Sequence, residues 1–522
     1  MVVMSIVLVF VIVSLMFVKM PRISYKMLIL VTVSVCAIEV VSGMLQLLGI
    51  RDSNNSMYAL TGTFQNPGPY GGFLSVCISI IVAFCIRNRE LYKKVNSHCG
   101  LMWFIAGVAM LAFSLLISTQ SRAAMLSLVC SLSFIMTGCY EIRLKLKHQF
   151  KEYRIIIFLM AVIMAIGAYL YKKPSADGRL FMNRISLKAI CSNGIIKGAG
   201  LNRFGGSYGE AQADYFERQI AENGRDDLDW SAINEHERMT ADCPDKAFNE
   251  YLHIGVEAGP LAMLAFIGCL VCAIVISYRN GTIWSYGLTA MAVFAFFSYP
   301  FHIDVFRIML AVLLAASFSK ETIEKDTQKP VMRTAMLSLL LIALTVAKLA
   351  KLPEIRQVKS AESCWRDTEF WYKMGFYNYV VNSCDSLFRY KCQDYRFLYA
   401  YGQSLNKTGN YLKSDSILEL GSRLSSDPMF WNVMGNNSLS MGLYREAERR
   451  YKHAFYMVPN RMYPLYLLAK LYYEEKDSVR FFDMADRIES FKPKIESVKT
   501  ELLRSEIKEL KTLYYEKADI RK

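Results

Sequence analysis

The sequence predicts an all-α membrane protein: a polytopic bundle of about ten spans, one large loop, and a helical domain at the C-terminal end. Three observations carry that expectation. Hydrophobic residues make up 53% of the 522, too many for an ordinary soluble chain of this size. They cluster in runs of roughly 17–24 residues, the length that crosses a bilayer core. After Pro353 the composition turns polar and aromatic with helical periodicity.

The apolar runs fall at 2–18, 27–49, 70–86, 101–117, 123–139, 155–171, 255–277, 283–299, 302–319 and 334–350. The first lacks a small-residue cleavage site and reads as a span, not a removed signal peptide. Positive charge marks cytoplasmic connections. Lys19, Arg22 and Lys26, then Arg87 to Lys94, Arg143 to Arg154, Arg279, and Lys320 to Arg333 all fall in one alternating set of connections. The short loops of the other set hold only Arg51 and Arg122. That second set therefore faces outward, together with the long loop of about 172–254 and everything after residue 350. Arg122, in STQSRAAM between two apolar runs, stands against the charge rule. An ionisable group in such a place is a functional candidate.

The net charge of +15 is accounted for by these loops. No soluble segment carries a basic patch with interleaved aromatics, which argues against nucleic acid. The thirteen cysteines show no metal-ligand spacing. Those within spans read as small packing residues. Cys191, Cys243, Cys364, Cys384 and Cys392 lie in outward segments, where disulfides are chemically possible and connectivity is not readable.

Two domains follow: 1–350, containing the spans and the large loop, and 351–522. In the second, Trp431, Gly435, Gly442, Tyr444, Ala447, Tyr451, Ala454 and Pro459 fall at the spacing of a 34-residue tetratricopeptide repeat. A preceding copy shows Leu398, Gly402, Gly409, Tyr411 and Ser414, and a following one Leu465, Ala469, Tyr472, Ala485 and Pro493. Residues 357–393 read as an earlier helix pair. Such an α-solenoid offers a concave face to a protein partner. In the large loop, Leu180, Ile185, Leu187 and Ile190 have the spacing of an amphipathic helix at a membrane surface. Glycine turns follow it, and residues 222–246 are acidic and polar.

Five stretches, taken in order, resemble the O-antigen ligase and O-antigen polymerase superfamily. They are GTFQNPGPYGGFL at 62–74, STQSRAAMLSL at 118–128, SADGRLFMNRISL at 175–187, KGAGLNRF at 197–204 and AFNEYLHIGVEAGPLAML at 247–264. The resemblance spans residues from about 60 to 320, and an appended repeat domain also occurs in that superfamily. It implies an inner-membrane enzyme whose active site and C-terminal domain face the periplasm. Such an enzyme moves a glycan from undecaprenyl diphosphate to a glycan, a lipid A core or a protein hydroxyl. No cofactor and no metal is implied.

Departure of a lipid diphosphate builds negative charge on phosphate oxygens, which preorganised guanidinium groups stabilise. Arg122 and Arg179 match the family's arginines and are expected to converge on the diphosphate, with Arg184 and Arg203 as further substrate-binding candidates. The acceptor hydroxyl needs a proton acceptor. Where the family commonly has histidine, this chain has Phe248. Glu250 is then the expected base, with Asn249, Asn66 and His253 as substrate-binding candidates. Asp304 and Arg307 are spaced to pair on one helix, with His302 at its outer edge. Beside the transferase stand two other readings: a transporter of lipid-linked glycans, and a non-catalytic envelope scaffold.

Overall fold

The computed structural model describes residues 2–94, 99–138, 173–194, 196–318, 338–342 and 352–519. Among them the chain is all-α, with no strand. Four helices are long and apolar enough to cross a membrane: Ile23–Leu47, Pro67–Arg87, Gly100–Ser118 and Pro260–Arg279. Ser5–Lys19, Arg122–Met136 and Trp284–Phe297 are shorter apolar helices. The expected span at 155–171 and nearly all of the one at 334–350 lie outside the described residues. The chain folds as two compact units, Met1–Lys173 with Phe248–Tyr251 and Met263–Leu352, and Pro174–Ala247 with Leu252–Ala262 and Pro353–Lys522.

The first unit is built on α1 (Val2–Lys19), α2 (Pro21–Leu47), α3 (Pro67–Lys94), α4 (Cys99–Ser118) and α5 (Arg122–Gly138). After the second unit's central elements come α10 (Pro260–Arg279), α11 (Trp284–Phe297) and α12 (Asp304–Ser317). Helix α3 is the axis of the bundle, with 83% of its apolar window buried, against 17% for α10. Leu74, Val76, Ile80 and Ile81 of α3 pack with Trp284, Leu288 and Phe294 of α11. Within that core Ser75 and Ser127 hydroxyls bond at 2.7 Å, tying α3 to α5. The outer helices keep large apolar side chains on the surface, among them Trp103, Phe104, Leu264 and Val271. Large apolar side chains exposed in this way suit lipid better than water.

The second unit joins the central segment to the C-terminal helices. Its first part holds α6 (Lys173–Ser192), α7 (Phe204–Asn223), α8 (Glu235–Thr240) and most of α9 (Glu250–Ala258). Its second part runs as successive helices: α13 (Leu352–Lys373), α14 (Tyr377–Lys391), α15 (Tyr395–Lys407), α16 (Tyr411–Ser422), α17 (Met429–Ser440), α18 (Tyr444–Met457), α19 (Tyr463–Glu474), α20 (Ser478–Ser490) and α21 (Val498–Asp519). From α14 to α21 each helix packs on the next in sequence. The repeated small residues sit where neighbours come closest. A Cβ on Gly435 would lie 2.3 Å from the Tyr451 ring, and one on Gly421 would lie 2.1 Å from Phe430.

The large loop is thus mostly helical. Helix α7 lies on α18, and the Gln212 side-chain amide donates to Asp242 O at 3.0 Å and to Met457 O. Asn460 donates to Arg238 O and Ala241 O, both at 2.8 Å. The acidic segment supplies ion pairs to basic residues of the C-terminal helices: Asp226 to Arg487, Asp227 to Lys452 at 2.6 Å, and Asp242 to Lys494 at 3.1 Å. On α6, Ile185 and Ile190 are buried, whereas Leu180 and Leu187 stand exposed at 58% and 51%. The thiols of Cys191, Cys243, Cys364, Cys384 and Cys392 are free.

Candidate functional site

In the first unit the site starts from a loop pinned by a polar pair on α2. Gln46 accepts the backbone N–H of Thr61 at 2.9 Å and of Gly62 at 2.8 Å. The Glu39 carboxylate accepts the N–H of Thr63 at 3.1 Å together with its hydroxyl. Both side chains are about 6% exposed. A buried polar group needs such partners, and here they fix the start of the next helix. Asn66 caps that helix, its Oδ1 accepting Gly68 N–H at 2.8 Å, and Pro67 occupies the first helical position.

The N-terminal turn of α3 then meets the turn before α5. A Cβ on Gly71 would lie 2.9 Å from Thr119 Oγ1 and 3.1 Å from the Ala124 methyl. Only glycine permits that approach. Gln120 adopts a positive φ of 51°, and Arg122, half-buried, opens α5 at its positive end. Phe294 fills the gap at Gly72 and stacks on Phe306 at 5.8 Å. Phe306 also touches Phe64 and Phe73, which brings the start of α12 beside the start of α3. The starts of α5 and α12 therefore both lie against the start of α3. The positive ends of their helix dipoles favour an anion.

Beside them lies a carboxylate–imidazole pair. Glu250, 2% exposed, accepts Phe301 N–H at 2.6 Å and the Nδ1 of His302 at 3.2 Å through Oε1. The His302 side chain is 23% exposed. Glu250 sits in the first turn of α9, capped by Asn249, whose Oδ1 accepts Tyr251 N–H at 3.1 Å. Phe248 stands edge-on to Tyr299 at 5.3 Å, and Tyr251 donates its hydroxyl to Ala292 O at 2.8 Å. Asp304 and Arg307 form the expected pair at 2.6 Å. An imidazole that donates Nδ1–H to this carboxylate leaves its ring lone pair on Nε2. In this arrangement the Glu250 carboxylate orients the His302 ring through Nδ1.

The other candidates belong to the second unit. Arg179 is half-buried on α6, two residues after Asp177, which faces His236 at 3.3 Å. Arg184 pairs with Glu237 at 2.5 Å and reaches the Tyr215 hydroxyl at 3.4 Å. Those two partners hold its guanidinium further toward the charged form. It fastens α6 to α8. His253, 6% exposed, stacks on Phe204 at 4.7 Å and meets Glu257 at 3.4 Å, so it is part of the packing around α7. Arg203 is exposed and lines a cavity with residues of α16 to α18.

Two features escaped the sequence reading. Glu39 is a lone acid inside an apolar run, a signal that was there to be used. The Glu250–His302 contact joins residues 52 apart and has no local signature. Comparison of the chain with protein-family models, curated proteins and solved structures returned no match.

Proposed function

We propose that this chain is a membrane glycosyltransferase of inverting type, moving a glycan from undecaprenyl diphosphate to an acceptor at the periplasmic face. The observation that carries the proposal is the meeting of the 62–74 and 118–128 stretches at Gly71, with Arg122 opening a helix whose start lies against that of α3. A diphosphate leaving group needs that environment. The sugar C1–O bond to phosphate breaks, and the electron pair passes to a phosphate oxygen. Arg122 binds that oxygen bidentately and stays charged through the reaction. The acceptor oxygen attacks C1 from the opposite side. Its proton goes to His302 Nε2, and Glu250 stabilises the imidazolium through Nδ1–H. Arg179 is kept as a donor-binding candidate on the resemblance of its stretch alone.

Deleting the protein in its bacterial host and resolving surface glycans on gels tests the proposal. Single units retained on the acceptor, with long chains lost, assign a polymerase. Accumulated carrier-linked polymer assigns a ligase. Unchanged lipopolysaccharide with unglycosylated secreted proteins assigns a protein O-oligosaccharyltransferase. Unchanged glycans in every fraction refute transferase function. Full rescue by Arg179→Ala at wild-type expression removes that residue from the mechanism.

A further inference from the structure

The second unit contains a cavity of about 460 Å³, within the range of small-molecule sites. Asn193, Ala199 and the 203–210 stretch form one wall, and α16 to α18 form the other. The glycines of RFGGSYG explain why these walls meet. A Cβ on Gly206 would lie 2.3 Å from Arg423 O, and one on Gly205 would lie 2.7 Å from Leu424 O. The first turn of α7 thereby sits directly on the backbone that ends α16. Arg203 and Arg423 consequently line the same cavity.

Four guanidinium groups line it, and two are already neutralised. Arg449 pairs with Glu446 at 2.6 Å, and Arg450 pairs with Asp415 at 2.6 Å and with Glu446 at 2.8 Å. Glu210 faces His453 at 3.3 Å. Among the described residues the charged groups of Arg203, Arg423 and Glu419 make no ion pair or hydrogen bond. Trp431 contributes ring surface, and its indole N–H, closed off from solvent, has no partner among the described residues.

We propose that this cavity binds an acidic saccharide. Two uncompensated guanidiniums recognise a carboxylate on the ligand. The free Glu419 carboxylate repels a bare anion but accepts hydrogen bonds from sugar hydroxyls. Trp431, packed on its other side by the His453 ring at 4.1 Å, offers apolar ring surface to a pyranose ring. A lone phosphate uses neither Trp431 nor Glu419 and fills little of the volume. The site stands apart from the proposed transfer reaction, since binding is read without any donor.

The test is calorimetric titration of the full-length protein in detergent micelles with trigalacturonate, maltotriose and inorganic phosphate. Trigalacturonate is expected to bind at least tenfold tighter than maltotriose, and phosphate is expected not to compete at equal concentration. Arg203→Gln with Arg423→Gln should cost trigalacturonate at least tenfold, and the paired Arg→Lys variant should recover part of it. All four substitutions are at exposed side chains, so an unchanged melting temperature confirms folding. Trp431→Phe should weaken trigalacturonate binding as well. Equal affinity for maltotriose, competition by phosphate, no binding of trigalacturonate, or wild-type binding by the Arg→Gln pair each overturns the proposal.

Discussion

Replacing Glu250 with alanine should release the turn at 300–302. Its Oε1 takes the Phe301 N–H at 2.6 Å and His302 Nδ1 at 3.2 Å, and the carboxylate is 2% exposed. A hydrogen bond to a charged group contributes about 1.5–3 kcal/mol net, and the Phe301 donor loses its acceptor outright. At tenfold per 1.4 kcal/mol, local opening should become roughly 10–150 times more frequent. Hydrogen–deuterium exchange of the peptide carrying Phe301, measured in micelles, reads that opening directly. Glu250→Gln keeps an acceptor for the N–H but loses the charge, so about half the free-energy loss is expected. Exchange at Phe301 within twofold of wild type in Glu250→Ala would show that the carboxylate does not hold the turn, and the case for an oriented His302 would go with it.

Three further outcomes are expected. His302→Ala should lower glycan transfer by about 10²-fold or more, the usual contribution of a proton acceptor, while Phe248→Leu stays within threefold; equal losses would move the chemistry away from His302. Gly206→Ala places a methyl 2.3 Å from Arg423 O, backbone that cannot swing aside, so an overpacking cost of about 1–3 kcal/mol should lower the melting temperature by several degrees; an unchanged transition would contradict the close approach of α7 to α16. The Arg487 hydrogen bond holds the Asp226 carboxyl below its ordinary value of 3.8. Its stabilisation is therefore fully present above pH 3.8 and lost as pH falls through the lowered folded value. The pair is partly exposed, so screening keeps it under about 1 kcal/mol. The melting difference between wild type and Asp226→Asn should be small at neutral pH and vanish in acid; a difference that grows in acid would refute the pairing.

Local rules made much of the fold legible. Apolar runs marked the four helices long enough to cross a membrane, because a span of that length and composition reports on an apolar surrounding. The expected ion pair of Asp304 and Arg307 follows from helix geometry alone. What stayed hidden depends on long-range pairing. The acidic stretch 222–246 looked like a polar loop, yet Asp226, Asp227 and Asp242 meet basic residues more than 200 positions later. Asn66 and Asn249 read as substrate ligands, and their side-chain oxygens cap helices. Arg184 and His253 were singled out by residue type, and the fold gives them Glu237 and Phe204 as partners. A polar residue type announces that a partner is needed, and only the tertiary structure says which one.

Purified protein in vesicles, supplied with a glycan on undecaprenyl diphosphate and a hydroxyl acceptor, gives the most direct measurement. Arg122→Ala should lower the transfer rate at saturating donor by roughly 10²–10³-fold, the scale of losing one preorganised charge at a developing anion. Arg122→Lys, a point charge without the planar fork, should fall between the two. Transfer at the wild-type rate by Arg122→Ala, at matched protein level, would contradict the assignment of Arg122 to the leaving diphosphate.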